Sequence, residues 1–346
     1  MMKRFISCLV LAGFCLAASI AFASDLKISG FGQWWYYYTD AGTHGTSEFM
    51  MKRMRFKPSY QMTDKVGFFT QFDFKAGPSV HLLDALLDVK LAPWMKLRAG
   101  QFCIPFGIET PSSPFALDVI SYSYVVGAGE GTGLFPGLRE VGFQMRGKYP
   151  PVNYALAVMN GKGLTGGEDN KFKDIMGRVG FSKPGISVGG SGYYGFHNAV
   201  VGFDSVNMVD ITDPDSLWNV LRYGADLKVD IANVLVKGEF IMGSHGVADD
   251  STMGQMGYYV LLGYTIPIGE YGPKEPGYMA LQPMVRFDAW DGDTDADDDG
   301  LSRITAGANF WFDKNTKVSA FYEVRTEGGD LDVKDDKFRL QLGLAW

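Results

Sequence analysis

Apolar and polar residues alternate with a period of two along most of the chain after residue 25, and helical periodicity is hard to find. The stretch KVGFFTQFDFK at 65–75 sets its aliphatic and aromatic residues against Gln, Asp and Lys. The stretch KFRLQLGLAW at 337–346 does the same. Alternate residues of a strand point to opposite faces, so this pattern predicts an all-β chain.

The alternation divides into about sixteen segments, each near the ten residues that a tilted membrane strand needs. An even number of strands lets both termini of a closed antiparallel barrel lie on one side of the membrane. The predicted segments start at about residues 26, 48, 66, 80, 95, 139, 153, 173, 186, 219, 233, 255, 278, 301, 316 and 336.

The connections between these segments alternate in length, which favours an outer-membrane barrel over a soluble β-protein. Short turns are predicted at 63–65, 92–94, 149–151, 183–185, 230–233 and 313–315. Long polar loops are predicted at 39–47, 104–138, 161–172, 199–218, 244–254, 290–300 and 327–335. Two connections depart from this alternation of short turns and long loops: 76–79 is short for a loop on the exterior side, and 267–277 is long for a turn on the periplasmic side.

All seven tryptophans fall near predicted strand ends, which predicts aromatic girdles at the membrane interfaces: Trp34, Trp35, Trp94, Trp218, Trp290, Trp311 and Trp346.

Residues 1–23 have the features of a signal peptide: a basic start, an apolar stretch and the small-residue site Ala21-Phe22-Ala23. A mature barrel domain is therefore expected at 24–346. Loss of Lys3 and Arg4 with the signal leaves 30 basic and 39 acidic residues, a net charge of −9, which argues against nucleic acid as a partner. Only Cys103 remains, so no internal disulfide is expected. A secreted soluble β-protein stays open as an alternative.

The run KRMRFKP at 52–58 places Arg53, Arg55 and Lys57 at every second position. On the lipid face near the bilayer midplane each cation would cost about 2–4 kcal/mol, so the three are predicted to face an aqueous lumen. Lys52 then falls on the lipid side, near the exterior end of its strand, where its amine can reach the interface.

The same parity predicts further basic residues along the lumen. Cations outnumber anions on this face, which gives the hypothesis of a weak anion preference; the alternative is that these cations only pair with neighbouring acids. The further pore-lining and anion-binding candidates are Lys96, Arg98, Arg146, Lys148, Arg222 and Arg286.

The motif GQFCIPFG at 100–107, followed by LREVGFQMRG at 138–147 and YALAVMNGKG at 154–163, resembles the phosphate-selective porin O and P family. The resemblance implies a sixteen-stranded barrel, usually trimeric, whose long third loop folds into the lumen. Here that loop is 105–138. Its candidate constriction residues are Pro105, Phe106, Gly107, Glu109, Phe115 and Asp118. Cys103 stands where the family often has Lys.

The acidic loop DGDTDADDDG at 291–300 places Asp295, Asp297 and Asp299 at calcium-loop positions one, three and five. Position twelve, which needs a bidentate acid, is Ala306. A solvated exterior loop beside lipopolysaccharide is therefore the main prediction, with calcium as the alternative.

The chain has four histidines and none of the motifs GxSxG, HExxH or the P-loop, and no catalytic residue or cofactor is predicted. The predicted function is a passive outer-membrane channel for small ions and solutes. Its predicted partners are outer-membrane lipid, lipopolysaccharide and two further copies in a homotrimer. A structural barrel or conduit for partner proteins is the alternative.

Overall fold

A computed structural model gives the fold. It describes residues 26–40, 45–74, 80–128, 131–135, 137–164, 167, 170–204, 209–247, 251–269, 278–329 and 335–346, with the backbone alone for 199–204 and 209–216. The strands are β1 (Leu26–Asp40), β2 (Thr46–Gln61), β3 (Val66–Asp73), β4 (His81–Ala92), β5 (Met95–Cys103), β6 (Arg139–Tyr149), β7 (Val152–Met159), β8 (Asp174–Lys183), β9 (Ile186–Asp204), β10 (Val209–Ile231), β11 (Val234–Gly246), β12 (Thr252–Tyr264), β13 (Ile266–Ile268), β14 (Met279–Asp291), β15 (Leu301–Asp313), β16 (Thr316–Glu327) and β17 (Asp336–Ala345).

The strands form one closed antiparallel barrel. Neighbours in sequence pair along the whole series, and β17 closes the ring on β1, with Phe31 opposite Ala345. Strands β12 and β13 pair with successive parts of β14. They therefore occupy one position in the ring, and the seventeen strands form a sixteen-stranded barrel. The prediction of a closed sixteen-stranded barrel is therefore confirmed.

The barrel carries its apolar side chains on the outside. Phe143 on β6 is 72% exposed and Val179 on β8 is 61% exposed, whereas Gln33 on β1 and Asp288 on β14 are fully buried. A soluble sandwich would show the opposite arrangement, with the apolar face buried. Bilayer hydrocarbon is the environment that such an outer surface suits. No helix among the described residues is long and apolar enough to cross a membrane.

Most predicted strand starts lie within three residues of the observed ones, but the predicted loop 199–218 is wrong. Strand β9 continues to Asp204 and β10 begins at Val209, with these two residues paired. Polar residues can continue an antiparallel ladder into water, because its hydrogen bonds are made by the backbone. The predicted signal peptide, residues 75–79 and residues 270–277 lie outside the described part of the chain.

The tryptophan girdle is only partly as predicted. Trp34, Trp94 and Trp346 are 38%, 45% and 44% exposed. Trp35 and Trp290 are instead buried, at 7% each. Both have inward parity and belong to an apolar cluster that includes the segment between β5 and β6. Their environment is therefore a packed interior and not a membrane interface.

A β-bulge changes the predicted position of Lys52. Gln33 pairs with Arg53 and Trp34 pairs with Met51, so Lys52 is an extra residue on β2. Its amine lies 4.7 Å from the centre of the inward-facing Trp35 ring. The prediction that Lys52 faces lipid is therefore wrong, since a bulge places two successive side chains on one face.

Gly100 on β5 is required by a close backbone approach. Its φ is +118°, and a Cβ there would lie 2.1 Å from the carbonyl oxygen of Ala85 on β4. A residue with a side chain would meet both the strained conformation and the clash. Gly100 lies on β5, three residues before the end of the strand that leads into the segment 104–138.

Candidate pore and constriction

The described residues of the segment 104–138 pack against the inner wall of the barrel. Phe106 and Val125 are fully buried, and they belong to one cluster with Ile241 on β11 and Leu261 on β12. These strand residues are inward-facing, because their neighbours on the strands are the exposed, outward ones. The segment is rich in apolar residues because it covers this part of the wall.

Four wall strands form an ion-pair ladder beneath the segment. Arg286 Nε lies 2.9 Å from Asp288, Arg303 Nε lies 3.2 Å from the same carboxylate, and Arg303 Nη1 lies 3.8 Å from Glu323. Arg339 on β17 lies 3.4 Å from Glu323. Each of these charges is almost fully enclosed, and burial of such charges is tolerated only where they pair and hydrogen-bond.

The ladder binds the backbone of the segment directly. Arg286 Nη1 donates to the Ser121 carbonyl at 2.8 Å, and Arg286 Nη2 donates to the Tyr122 carbonyl at 3.1 Å. Arg303 donates to the same Tyr122 carbonyl at 2.7 Å. The Ser121 hydroxyl donates to Glu323 at 2.7 Å. Residues 121 and 122 are thereby held by three wall strands.

A second group of contacts holds the start of the segment. The Glu109 amide donates to Glu239 on β11 at 2.5 Å, and the Glu109 carboxylate accepts from the Ser123 amide at 2.8 Å. Lys237 lies 3.1 Å from Asp118. These contacts join the start of the segment to its middle and both to β11.

The six predicted constriction residues lie in this anchored part. Phe106 is fully buried and Glu109 is 2% exposed, so neither presents an open surface to the pore. Pro105 and Gly107 are buried but line one cavity at the short-turn end. Phe115 lies 6.0 Å from the Phe31 ring, and Asp118 is paired as described. The residues of the segment that face the remaining opening are Ile120, Ser121, Tyr122 and Ala128, which the sequence did not single out.

The opening, called here the aperture, is a cavity of about 280 Å³ between these residues and strands β1, β2, β3 and β17. Its described lining carries four basic side chains and one carboxylate: Lys52, Arg53, Arg55, Arg339 and Asp73. Burial raises the pKa of Tyr122 to about 12, so its phenol is neutral and adds no negative charge. Basic side chains therefore outnumber carboxylates in the described lining of the aperture, where Arg55 pairs with Asp73, while Arg339 pairs with Glu323 of the ladder.

Aromatic rings hold the aperture cations. Lys52, Arg53 and Arg339 lie 4.7, 5.8 and 5.4 Å from the centre of the Trp35 ring. The indole Nε1 donates to Gln341 at 2.7 Å, which fixes the ring. A cation over a ring face is stabilised by the electrons of the ring, and Arg339 is also paired with Glu323 of the ladder.

The predicted cations on β2 differ in their surroundings. Arg53 donates to Gln33 at 3.1 Å, Arg55 pairs with Asp73 at 3.0 Å, and Lys57 lies 4.8 Å from the Phe31 ring centre. All three point to the interior. The Asp73 carboxylate offsets the charge of Arg55.

A wider cavity of about 640 Å³ lies at the short-turn end. The predicted residues Lys96, Arg98, Arg146 and Lys148 all line it. Arg98 forms a two-point contact with Asp88, at 2.7 and 2.8 Å. The described lining of this cavity includes no carboxylate, and the cavity beside it has four lysines against Asp64 and Asp88, so basic side chains outnumber carboxylates at this end of the lumen.

Two predicted pore-lining residues do not line the open lumen. Arg286 is 1% exposed and sealed beneath the segment. Arg222 lies between the Phe135 and Tyr193 rings, 4.9 and 5.0 Å from their centres, and its Nε is buried without a hydrogen-bond partner among the described residues. Both residues were predicted to line the pore, and both are enclosed because the segment 104–138 covers this side of the wall.

The acidic loop shows no cluster of metal-ligating side chains among the described residues. Asp295, Asp297 and Asp299 are exposed, and the described residues contain no group of three His, Cys, Asp or Glu arranged to hold a metal. The calcium alternative is therefore not supported by the structure.

A protein-family model matches part of this sequence. Residues 29–169 match the phosphate-selective porin O and P family. The resemblance predicted from GQFCIPFG at 100–107 is thereby confirmed over this part of the chain. A search of curated proteins finds no match.

Known structures share the fold at low sequence identity. OmpT of Vibrio cholerae, an outer membrane protein in its trimer form, has a TM-score of 0.65 at 13% identity, over 94% of this chain and all of that one. An anion-selective porin from Comamonas acidovorans has 0.65 at 10% identity, over 92% and 98%. OmpF of Salmonella typhi, in complex with daunomycin, has 0.62 at 15% identity, over 93% and 97%. The prediction of a porin-type outer-membrane barrel is confirmed in fold, and the family match covers residues 29–169.

Proposed function

We propose that this chain is a passive porin of the bacterial outer membrane, through which small hydrophilic solutes diffuse with a preference for anions. The observation that carries the proposal is the aperture, where four basic side chains and one carboxylate surround the opening beside the packed segment. Fixed charge near a narrow passage sets ion preference through local potential, whatever the net charge of the protein.

Solute size is limited by the segment 104–138, which acts as the constriction loop. Its contacts with the ion-pair ladder support this role, because an anchored loop keeps the width of the passage constant while solutes pass. The partly exposed Arg53 faces solute on the wall side of the aperture, and Ile120 and Tyr122 line its other side at 4% exposure each. The six residues predicted from sequence act as its base and anchors.

The protein assembles as a homotrimer in contact with outer-membrane lipid and lipopolysaccharide. The trimer form of the Vibrio cholerae relative supports this assembly, and the exposed apolar belt supports the contact with lipid. The acidic exterior loop 291–300 meets divalent cations bound to lipopolysaccharide. No catalytic step and no cofactor are part of the proposed function.

Liposome swelling tests the channel. Vesicles that contain the purified protein are expected to swell in small sugars at rates that fall with solute size. A barrel that only anchors partner proteins gives rates equal to empty vesicles, and that result would overturn the proposal. Glucose and raffinose, tested side by side, distinguish a sieving pore from a leak.

A further inference from the structure

Three basic side chains stand side by side across three strands at the short-turn end of the lumen. Lys90 on β4 is directly opposite Lys96 on β5, and Lys96 is directly opposite Arg146 on β6. Neighbouring strands are about 5 Å apart, so the row spans roughly 10 Å. This group, called here the basic row, is separate from the aperture.

The counter-charge nearest to the basic row, Asp88, is paired with another residue. Among the described residues, the side chains of Lys90, Lys96 and Arg146 make no hydrogen bond or ion pair. The neighbouring carboxylate, Asp88, is held at two points by Arg98. Like charges directly opposite each other destabilise a sheet, so an arrangement of three suits a site that an anion occupies.

The space around the basic row is large enough for an organic molecule and is apolar on one side. Lys96 and Arg146 line the 640 Å³ cavity together with Pro105, Ile108 and Pro111 of the constriction loop. Lys90 and Lys96 line an adjoining cavity of about 610 Å³ with Phe69, where four lysines stand against the carboxylates Asp64 and Asp88. Both volumes lie in the range of small-molecule sites. Lys96 is shared by the two cavities.

We propose that the basic row binds organic anions with two carboxylates joined by a short apolar linker. One carboxylate contacts Arg146 and Lys96, the other contacts Lys96 and Lys90, and the linker lies against the proline-rich wall. A monocarboxylate or a chloride ion reaches only part of the row. The inference deepens the proposed function, and rests on it for the access of solute to the lumen.

Block of chloride current by adipate tests the site. Adipate is expected to reduce the current at lower concentration than hexanoate or inorganic phosphate does, because only adipate places two separated charges on the row. Lys96→Gln is expected to raise the half-blocking concentration by at least about tenfold, since two charge-assisted contacts are lost, one to each carboxylate. Lys228→Gln is the matched control, because Lys228 lies at the same end but 3.6 Å from Asp230, and it is expected to leave block unchanged.

The outcomes separate this inference from the porin proposal. Equal block by adipate and hexanoate, or by adipate and phosphate, overturns the dicarboxylate site while the channel stands. Adipate block that is unchanged in Lys96→Gln overturns the assignment to the basic row. If the protein passes no current, calorimetric titration of adipate into the detergent-solubilised barrel tests binding directly. A Lys96-dependent heat supports the site and no heat overturns it.

Discussion

Replacement of Arg286 by glutamine removes the main link between the constriction loop and the wall. The guanidinium donates to two loop carbonyls, at 2.8 and 3.1 Å, and pairs with Asp288 at 2.9 Å and with Glu109 at 3.4 Å. Removing one member of a buried ion pair costs up to about 3–5 kcal/mol. Asp288 and the Tyr122 carbonyl keep their contacts with Arg303, at 3.2 and 2.7 Å, so the loss falls on Glu109 and on the Ser121 carbonyl, both in the loop.

Single-channel recording is the assay for Arg286→Gln. A loosened loop is expected to give a broader distribution of conductance and more open-channel noise, and faster cleavage of the loop by added protease. Arg178→Gln is the matched control, because Arg178 pairs with the buried Asp226 at 2.6 Å within the wall and does not bond to the loop. Conductance, noise and cleavage equal to the parent protein in Arg286→Gln would refute the role of the ladder as the loop anchor.

Three further predictions concern the wall. In a background without the native cysteine, Lys52→Cys is expected to react with a membrane-impermeant thiol reagent, whereas Met51→Cys stays unreactive; equal rates would contradict the bulge. Arg53→Glu is expected to move the zero-current potential in a KCl gradient toward the potassium value, because the aperture loses one positive charge and gains one negative; an unchanged potential would remove Arg53 from the aperture. Gly100→Ala is expected to destabilise the folded barrel by about 1–3 kcal/mol, through the positive φ and the approach to Ala85, and to lower the temperature at which the barrel unfolds in detergent; an unchanged temperature would contradict this.

Much of the fold could be predicted from local pattern. Arg53, Arg55 and Lys57 alternate with Met54 and Phe56, and a two-residue period fixes which face each side chain takes. Strand ends followed from the short turns. Lys52 was assigned to the wrong face because a bulge depends on how β2 pairs with β1, and no residue of β2 alone signals it.

The candidate site was less predictable, because it depends on contacts between residues far apart in sequence. Arg286 has the same parity as the pore-lining cations, and its burial follows from Ser121 and Tyr122, more than 160 residues earlier. Trp290 was assigned to a girdle for the same reason, since the loop creates an apolar interior that the strand pattern does not contain. Only the high apolar content of 104–138 indicated that the loop would pack against the inner wall of the barrel.

The zero-current potential of the unmodified protein in a KCl gradient tests the central claim most directly. Because basic side chains dominate the described lining of the aperture and of the short-turn cavity, the potential is expected to lie on the chloride side of zero and to shrink as salt rises and screens the charges. A potential on the potassium side at low salt would contradict an anion-preferring pore.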